Sequence, residues 1–292
     1  MRKLRAFVGL ALSVAFVGHV QAQEAEPVAD PAAPAPMAAP EAPMAAAGGA
    51  VSASLVARGV HAAAAGKIAI RTLVGINASK GAFAKPFSIA PDIFYGVNDK
   101  LQVGLVHNGP MGWQTFPGQG LCLAGKENGC GKVWNNVGFD ALYSLMNGST
   151  DLSAHGAVYL GSVDPLKIGV ALGVAGKLHI NEQMALFFDP ALYIGLNKRD
   201  AVGFVPGNKE GLFVPVEFQF QLQPQLALVA FTGLQGPLSK FGDSFIIPLG
   251  VGAFYNVNEM IDVGGRFSFD NLLGKNSSAD FRSLSILVNV RL

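Results

Sequence analysis

From residue 66 onward, apolar and polar side chains alternate with a period of two, the pattern of β-strands whose two faces meet different surroundings. In one such segment Phe87, Ile89 and Ile93 share a face, while Ser88 and Asp92 share the opposite face. The alternation predicts about twelve strands, near 67–77, 85–96, 101–108, 135–146, 151–161, 166–179, 184–196, 212–222, 226–235, 244–257, 260–272 and 283–292.

Tight turns of similar composition recur along this region. In each, an apolar residue precedes a polar turn. Two apolar residues separated by one other residue then begin the next strand, as expected of a β-hairpin. The five turns lie at 97–103, 145–152, 180–186, 222–228 and 257–263. The other connections range from the brief 161–165 to the long 109–134. Short turns that alternate with variable loops, between an even number of strands, predict an antiparallel up-and-down barrel.

The distribution of charge indicates which environment each strand face meets. Where the alternation is clearest, the apolar faces carry no Asp, Glu, Lys or Arg, and the polar faces are rich in Gly and Ala. Only 14% of all residues are charged, against about 25–35% at the surface of an ordinary soluble domain. We therefore predict that the apolar faces contact lipid and that small and polar side chains line a lumen.

Aromatic residues on the apolar faces gather at the strand ends. Two such rings are typical of a barrel that crosses a membrane, because aromatic side chains favour the lipid headgroup level. The predicted girdle comprises Phe87, Tyr95, Tyr143, Phe220, Phe245, Tyr255 and Phe269. The sequence thus predicts an all-β, antiparallel, transmembrane β-barrel over residues 66–292.

Residues 1–22 have the features of a secretory signal peptide. A basic start precedes an apolar core over residues 6–17, and a small-residue cleavage site ends at Ala22. The core is short for a transmembrane anchor, so we predict export with cleavage after Ala22. The net charge of +1 argues against a nucleic-acid partner, which would require a basic face.

The following segment, residues 23–65, predicts a disordered, Pro/Ala-rich periplasmic linker, because its composition buries too little apolar surface to offset the entropy of ordering. Two interpretations of residues 23–50 remain open: a passive spacer, or a tether that binds a periplasmic protein partner. Residues 52–65 either form a short helix or extend the linker.

Charged residues with inward parity identify the candidate lumen. They are Arg71, Asp92, Asp140, His155, Lys167, Lys177, Asp189, Glu217, Asp262, Arg266, Asp270 and Arg291. Their acidic and basic members nearly balance. This balance fits either a weakly selective, water-filled channel or internal ion pairs that brace a narrow lumen.

The sequence offers little that indicates catalysis, a cofactor or a metal. His107 is expected on the outer face near one rim, without a serine on the same face for a nucleophilic pair. The histidines are too scattered for a metal site. The glycine-rich segment 120–127 has Glu127 where a phosphate-binding loop has Ser or Thr. We therefore expect neither an enzyme nor a bound cofactor or metal.

Cys122 and Cys130 are the two cysteines of the chain, and both lie in the long connection 109–134. An even pair in an exported protein predicts a disulfide. The functional hypothesis is a braced external loop that folds over the pore or contacts an external ligand.

The signal peptide, repeated hairpins, aromatic rims and a strand ending at the last residue together resemble Gram-negative outer-membrane β-barrels of the porin-like superfamily. The resemblance covers residues 66–292. It implies a location in the cell outer membrane, with linker and short turns periplasmic and long loops extracellular. It also implies membrane lipid and the barrel-assembly machinery as partners. The assembly signal would comprise Leu284, Ile286, Val288, Val290 and Leu292, with Leu292 in place of a terminal aromatic residue.

Two functions fit these features. The principal prediction is porin-like passive passage of small solutes. The alternative is a non-conducting structural barrel that anchors a multiprotein envelope-spanning complex, such as motility, adhesion or secretion machinery, through its linker and loops. Fold alone does not decide between them.

Overall fold

The computed structural model describes residues 62–107, 117–125, 130, 132–200 and 207–292. Their strands form one antiparallel sheet that closes into a barrel. The predicted signal peptide and residues 23–61 of the predicted linker lie outside the described residues, so those assignments stay predictions.

The strands follow one another in chain order around the wall. They are β1 (Ile68–Asn77), β2 (Phe87–Gly96), β3 (Leu101–Val106), β4 (Leu121–Ala124), β5 (Val137–Met146), β6 (Thr150–Val163), β7 (Leu166–His179), β8 (Met184–Phe188), β9 (Ala191–Gly195), β10 (Gly211–Gln223), β11 (Leu226–Pro237), β12 (Leu249–Asn256), β13 (Ile261–Asn271) and β14 (Ser278–Arg291). A helical turn, α1 (Phe241–Ser244), precedes β12. Within the described part of the chain, no helix is long and apolar enough to cross a membrane.

The barrel closes between its first and last strands. β1 pairs with β2 on one side and with β14 on the other, so that Arg71 lies opposite both Asp92 and Asn289. The wall has twelve positions because β8 and β9 share one position between β7 and β10, while β4 is a short addition beside β2. The predicted twelve-stranded, antiparallel barrel is confirmed.

Several predicted segments differ from the structure, and the last strand begins at Ser278, five residues before the predicted start at 283. The segment 184–196 is broken at Asp189 and Pro190, because proline has no N–H to give to the ladder. The connection 109–134 contains β4, whose backbone pairs with residues 87–89 of β2. The segment 244–257 becomes a strand only at Leu249, since the chain turns through α1 just before it.

The two faces of the wall meet opposite surroundings. On the outward face, Leu172 is 59% exposed and Val251 is 60% exposed. On the inward face, Asp92 is 0% exposed and Lys177 is 2% exposed. A water-soluble barrel would show the reverse, because it buries its apolar face and solvates its charges. The predicted orientation of the apolar and polar faces is therefore confirmed.

Three of the five short turns are built around an asparagine in the same way. Asn98 Oδ1 accepts the backbone N–H groups of Lys100 and Leu101, both at 2.9 Å. Asn181 and Asn258 accept the equivalent pair of N–H groups in their own turns, at 2.8–2.9 Å. Such Asx turns satisfy backbone donors that leave the ladder, which explains why these hairpins share a sequence pattern.

The connections divide between the two ends of the barrel. The short turns, at 97–100, 147–149, 180–183, 224–225 and 257–260, occupy one end, together with the start of β1 and the end of β14. We refer to this end as the short-turn rim. The other connections occupy the opposite end, the long-loop rim.

Candidate functional site in the barrel lumen

Aromatic rings that point into the lumen lie against glycines of the neighbouring strand. Phe94 is directly opposite Gly104, and Phe231 is directly opposite Gly250. A Cβ atom added to either glycine would overlap the facing ring. Because glycine has no side chain, each ring packs against the backbone of the facing glycine and lies along the wall. The high glycine content of the chain thus helps to keep these rings out of the centre of the lumen.

Arg266 lies between two such rings. Its guanidinium carbon is 5.1 Å from the ring centroid of Phe231 and 5.3 Å from that of Phe254. The same guanidinium donates a hydrogen bond to Glu217 Oε2. Ring faces and a carboxylate together hold this cation in a fixed position inside the barrel.

A buried histidine joins two carboxylates. Nδ1 of His155 is 2.9 Å from Asp189 Oδ1, and its Nε2 hydrogen-bonds to Asp140 Oδ2. All three side chains are at most 5% exposed. An imidazolium would donate to both carboxylates, whereas a neutral ring would require one of the two carboxyl groups to carry a proton.

An ion pair and a contact between a histidine and a carboxylate lie nearer the short-turn rim. Arg291 bonds to Asp262 through both terminal nitrogens, and Asn289 donates to the same carboxylate at 3.2 Å. Nε2 of His179 is 3.0 Å from Asp151 Oδ2. Many inward charges therefore have partners within the wall, as in the interpretation that internal ion pairs brace the barrel.

A cavity of about 330 Å³ lies in the lumen. Nine of the twelve predicted lumen charges line it: Arg71, Asp140, His155, Lys177, Asp189, Glu217, Asp262, Arg266 and Arg291. Gln219 also lines it, and its Oε1 has no hydrogen-bond partner among the described residues. A buried acceptor of this kind is normally satisfied by water or a ligand, so the cavity suits polar occupants.

The other three predicted lumen charges lie away from this cavity. Asp92 is buried and accepts the backbone N–H of His107 at 2.7 Å. Lys167 and Asp270 are half-buried near the long-loop rim. Asp270 accepts hydrogen bonds from two serine hydroxyls, at 2.6 and 2.8 Å.

Part of the longest connection lies inside the barrel. The N–H of Gly118 donates to Ser88 Oγ at 2.8 Å, and the N–H of Gly120 donates to Asn136 Oδ1 at 2.7 Å. Ser88 and Asn136 are both buried on the inward side of the wall. Residues 117–120 therefore occupy space in the long-loop half of the lumen and narrow it.

The predicted disulfide between Cys122 and Cys130 is present. Cys122 belongs to β4, and both cysteines are buried. The disulfide therefore ties the tip of the long connection to a strand of the wall. The inward part of that connection directly precedes this tied strand.

The expectation that His107 lies on the outer face is wrong. The residue is 5% exposed, and its Nδ1 is 2.5 Å from the carbonyl oxygen of Pro91. β3 ends at Val106, so the alternation no longer determines the direction of the next side chain.

Several buried polar residues of the barrel were not among the predicted site residues. They include Asn136, Asp151, Tyr159, Tyr193, Gln219 and Gln221. All six share the inward parity of a predicted lumen charge in the same predicted strand: Asn136 with Asp140, Asp151 and Tyr159 with His155, Tyr193 with Asp189, and Gln219 and Gln221 with Glu217. Five of the six are uncharged, so a search for inward charges does not select them; Asp151 is charged and stands at the first position of its predicted strand.

The predicted girdle residues occupy several environments. Tyr95, Tyr143 and Tyr255 are exposed on the outer face close to the short-turn rim. Phe87, Phe220 and Phe269 are partly exposed within their strands. Phe245 differs from the prediction, because it follows α1 outside any strand and stacks on the ring of a phenylalanine in that turn, with ring centroids 6.1 Å apart.

The predicted assembly signal lies on the outward face of β14. Its exposed members are Leu284, Ile286, Val288 and Leu292, and Val290 is half-buried. Leu292 exchanges backbone hydrogen bonds with Ile68, at 2.8 and 3.2 Å, so the last residue is part of the closing seam. Recognition of this strand by the assembly machinery stays a prediction.

Solved structures with a similar barrel fold include several outer-membrane proteins. The NanC porin is similar with a TM-score of 0.54 and 7% identity, over 76% of this chain and 98% of that one. The KdgM porin in complex with disordered oligogalacturonate has a TM-score of 0.49 and 9% identity, over 76% of this chain and 97% of that one. Outer membrane protein Omp33 of Acinetobacter baumannii has a TM-score of 0.43 and 10% identity, over 77% of this chain and 98% of that one.

At 7% identity, the likeness to NanC concerns the fold and not the solute. The chain has the fold of an outer-membrane porin, and the named neighbours are porins and outer-membrane proteins, not enzymes. No protein-family model and no curated protein sequence matches the chain.

Proposed function

We propose that this protein is an outer-membrane pore for the passive passage of small polar solutes. The observation that carries the proposal is a closed wall with an apolar exterior and a polar internal cavity of about 330 Å³. A barrel with these surfaces is stable in lipid, because every wall strand is paired and the charges face inward. The fold shared with the NanC porin supports the same function.

The two rims support an orientation with the short turns in the periplasm and the long loops outside the cell. Short turns face the periplasm in barrels of this type, and long loops face the exterior. Both ends of the barrel domain lie at the short-turn rim, which supports a periplasmic position for the preceding linker. Lipid and the barrel-assembly machinery are the partners that this location implies.

The lumen favours weak selectivity by charge. Arg266 is paired with Glu217, and Arg291 is paired with Asp262, so neither sign dominates along the wall. A strongly selective pore presents a ring of one sign. We therefore expect the pore to admit small cations, anions and neutral polar solutes with modest preference.

Liposome swelling tests the proposal. Vesicles that contain the purified protein should swell in small neutral sugars and stop swelling as sugar size increases. Ala175 and Ala154 provide matched variants, because Ala175 is 1% exposed and lines the cavity while Ala154 is exposed on the outer face. Ala175→Trp should slow swelling at least about two-fold, whereas Ala154→Trp should not. Absence of swelling for the unaltered protein contradicts passive passage.

The internal contacts favour a second candidate, a non-conducting barrel that anchors an envelope-spanning complex. Paired charges and residues 117–120 fill part of the lumen, as expected of a barrel kept for rigidity. In this case residues 23–50 would bind a periplasmic protein. Persistent absence of current, together with co-purification of a protein that is lost when residues 23–50 are deleted, would support this candidate instead of the pore.

A further inference from the structure

Most charges around the lumen cavity cancel in neighbouring pairs. The cavity arginines of β13 and β14 are each bonded to a carboxylate. Lys177 lies directly opposite Asp151 in the register of β6 and β7. Opposite charges this close contribute little field at the centre of the lumen, because their fields nearly cancel there. The field across the cavity is therefore determined by what remains, Arg71 and the cluster around His155.

Arg71 lines the cavity and contacts an aromatic ring. Its guanidinium carbon is 4.8 Å from the ring centroid of Phe94. No carboxylate of the described residues lies within ion-pair distance of it. Asp92 is directly opposite in register, but it is buried in the wall and accepts the N–H of His107. Because a ring positions a cation without neutralising it, Arg71 presents one positive charge to the cavity.

The cluster of Asp140, His155 and Asp189 carries one negative charge in total. An imidazolium between two carboxylates gives this sum, and so does a neutral ring with one carboxylate and one protonated carboxyl group. All three side chains line the cavity. Asp189 lies at the break between β8 and β9, which share the wall position directly across from β1. One positive and one negative charge therefore face each other across the lumen.

The anionic side of the cavity also carries an unsatisfied acceptor. Gln219 is 7% exposed, and its Nε2 donates to Glu217 Oε1 at 2.9 Å. This bond fixes the amide, and the other end, Oε1, has no partner among the described residues. Gln219 stands on β10, which pairs with β8. A buried acceptor of this kind needs a donor from the cavity, and an ammonium group supplies three N–H donors.

We propose that the cavity favours small zwitterionic solutes, with α-amino acids as the representative class. The carboxylate of the solute pairs with Arg71, while its ammonium group faces Asp140, Asp189 and Oε1 of Gln219. Charges of opposite sign on facing walls attract both ends of such a molecule, whereas an ion of one sign is repelled by one of the walls. The proposal rests on the proposed pore function and adds the class of solute.

Two isomers provide the sharpest test. Alanine and lactamide have the same atoms and nearly the same size, but only alanine is a zwitterion at neutral pH. Liposomes that contain the unaltered protein should swell at least about two-fold faster in alanine than in lactamide, after subtraction of the rate in protein-free vesicles. Swelling at equal rates in the two isomers would overturn the proposal and leave the pore intact.

Substitutions assign the preference to its residues. Arg71→Gln should reduce the ratio of the alanine rate to the lactamide rate to about one, and Asp189→Asn should lower it as well. Lys100→Gln removes the same charge from an exposed turn and should keep the ratio of the unaltered protein. An undiminished ratio in Arg71→Gln would overturn the assignment. If either lumen variant fails to fold, the comparison of isomers in the unaltered protein decides alone.

A binding measurement separates this proposal from the pore itself. Absence of swelling in both isomers would contradict passive passage. Saturation-transfer NMR of the unaltered protein in detergent micelles then decides the site without conduction. It should show stronger transfer to alanine than to lactamide, and Arg71→Gln should remove the difference while Lys100→Gln keeps it. Equal transfer to the two isomers by the unaltered protein would overturn the proposal in a conducting or a silent barrel.

Discussion

Gly264 and Gly265 are neighbours in β13, yet a side chain introduced at one position would be crowded and a side chain introduced at the other would not. A Cβ at Gly264 would overlap the inward ring of Phe254, whereas a Cβ at Gly265 would meet nothing closer than a carbonyl oxygen at 3.8 Å. At the residue scale, the lumen is therefore shaped by pairs of a glycine and an aromatic ring. Each pair places a large apolar surface inside the barrel without projecting it into the centre of the lumen.

Gly264→Ala should destabilise the barrel by about 1–3 kcal/mol, because overpacking forces the ring and backbone to shift. Gly265→Ala is the matched control and should change the free energy of unfolding by less than about 0.5 kcal/mol. Denaturant unfolding of both variants in the same detergent measures the difference. Equal stabilities would show that the ring does not depend on the bare backbone beneath it.

Glu217→Gln should make the pore more selective for anions. The substitution removes the charge that neutralises Arg266 and leaves the guanidinium between its two rings. The reversal potential in a salt gradient measures the shift. Asp99→Asn, an equal change of charge in an exposed turn, should leave it unaltered. A reversal potential equal to that of the unaltered protein would mean that Arg266 does not face the conducting path.

The sequence predicts the direction of most inward side chains but not their partners. Parity alone places His155 and Glu217 in the lumen, because successive side chains of a strand point to opposite faces. The partner of His155, Asp189, is 34 positions away, and its approach depends on the stagger of strands around the closed barrel. Stagger is a property of the whole ring and leaves no local signal.

At the scale of the element, three of the short turns share an asparagine pattern that locates their hairpins in the sequence, whereas the strands share only their alternation. Asn98, Asn181 and Asn258 fix three turns by the same pair of hydrogen bonds, and this regularity explains why the hairpins could be located from the sequence. β4 and the break at Pro190 were missed for a related reason. A strand of four residues is too short for alternation, and one proline leaves parity on both sides unchanged.

Asn181→Ala should lower the stability of the barrel by about 1 kcal/mol, because two backbone N–H groups lose their acceptor and turn to water. Gln183→Ala, in the same exposed turn, is the matched control and should have little effect. Unfolding in urea compares them. If both substitutions lower the free energy of unfolding equally, the flanking strands and not the asparagine stabilise the turn.

Replacing Cys122 and Cys130 by serine should loosen the tip of the long connection without opening the barrel. Closing a loop of this length contributes about 2–3 kcal/mol at most, and β4 retains its backbone pairing with β2. Limited proteolysis should cut the variant faster within this connection, while sheet content by circular dichroism stays constant. Unchanged cleavage would show that strand pairing alone orders the tip.

At the scale of the whole molecule, one inversion organises the protein: the apolar surface is outside and the charges are inside. The sequence contains this inversion in its alternation, together with scarce charge and aromatic strand ends. Residues 62–65 leave no such trace, because an Ala-rich segment looks alike in a linker and in a lumen. The bridge of Ala65 to Gly96 and the hydrogen bond of Ala63 to the buried Gln102 show that they lie against the inner surface of the wall.

The central claim is that lipid contacts the apolar faces and water contacts the polar ones. Spin labels at Phe218→Cys and Gln219→Cys test it at adjacent positions, since Phe218 is exposed outward and Gln219 lines the cavity. In lipid vesicles the label at 218 should relax faster with oxygen, and the label at 219 faster with a water-soluble nickel complex. The reverse pattern, or equal access of the nickel complex to both positions, would contradict the account.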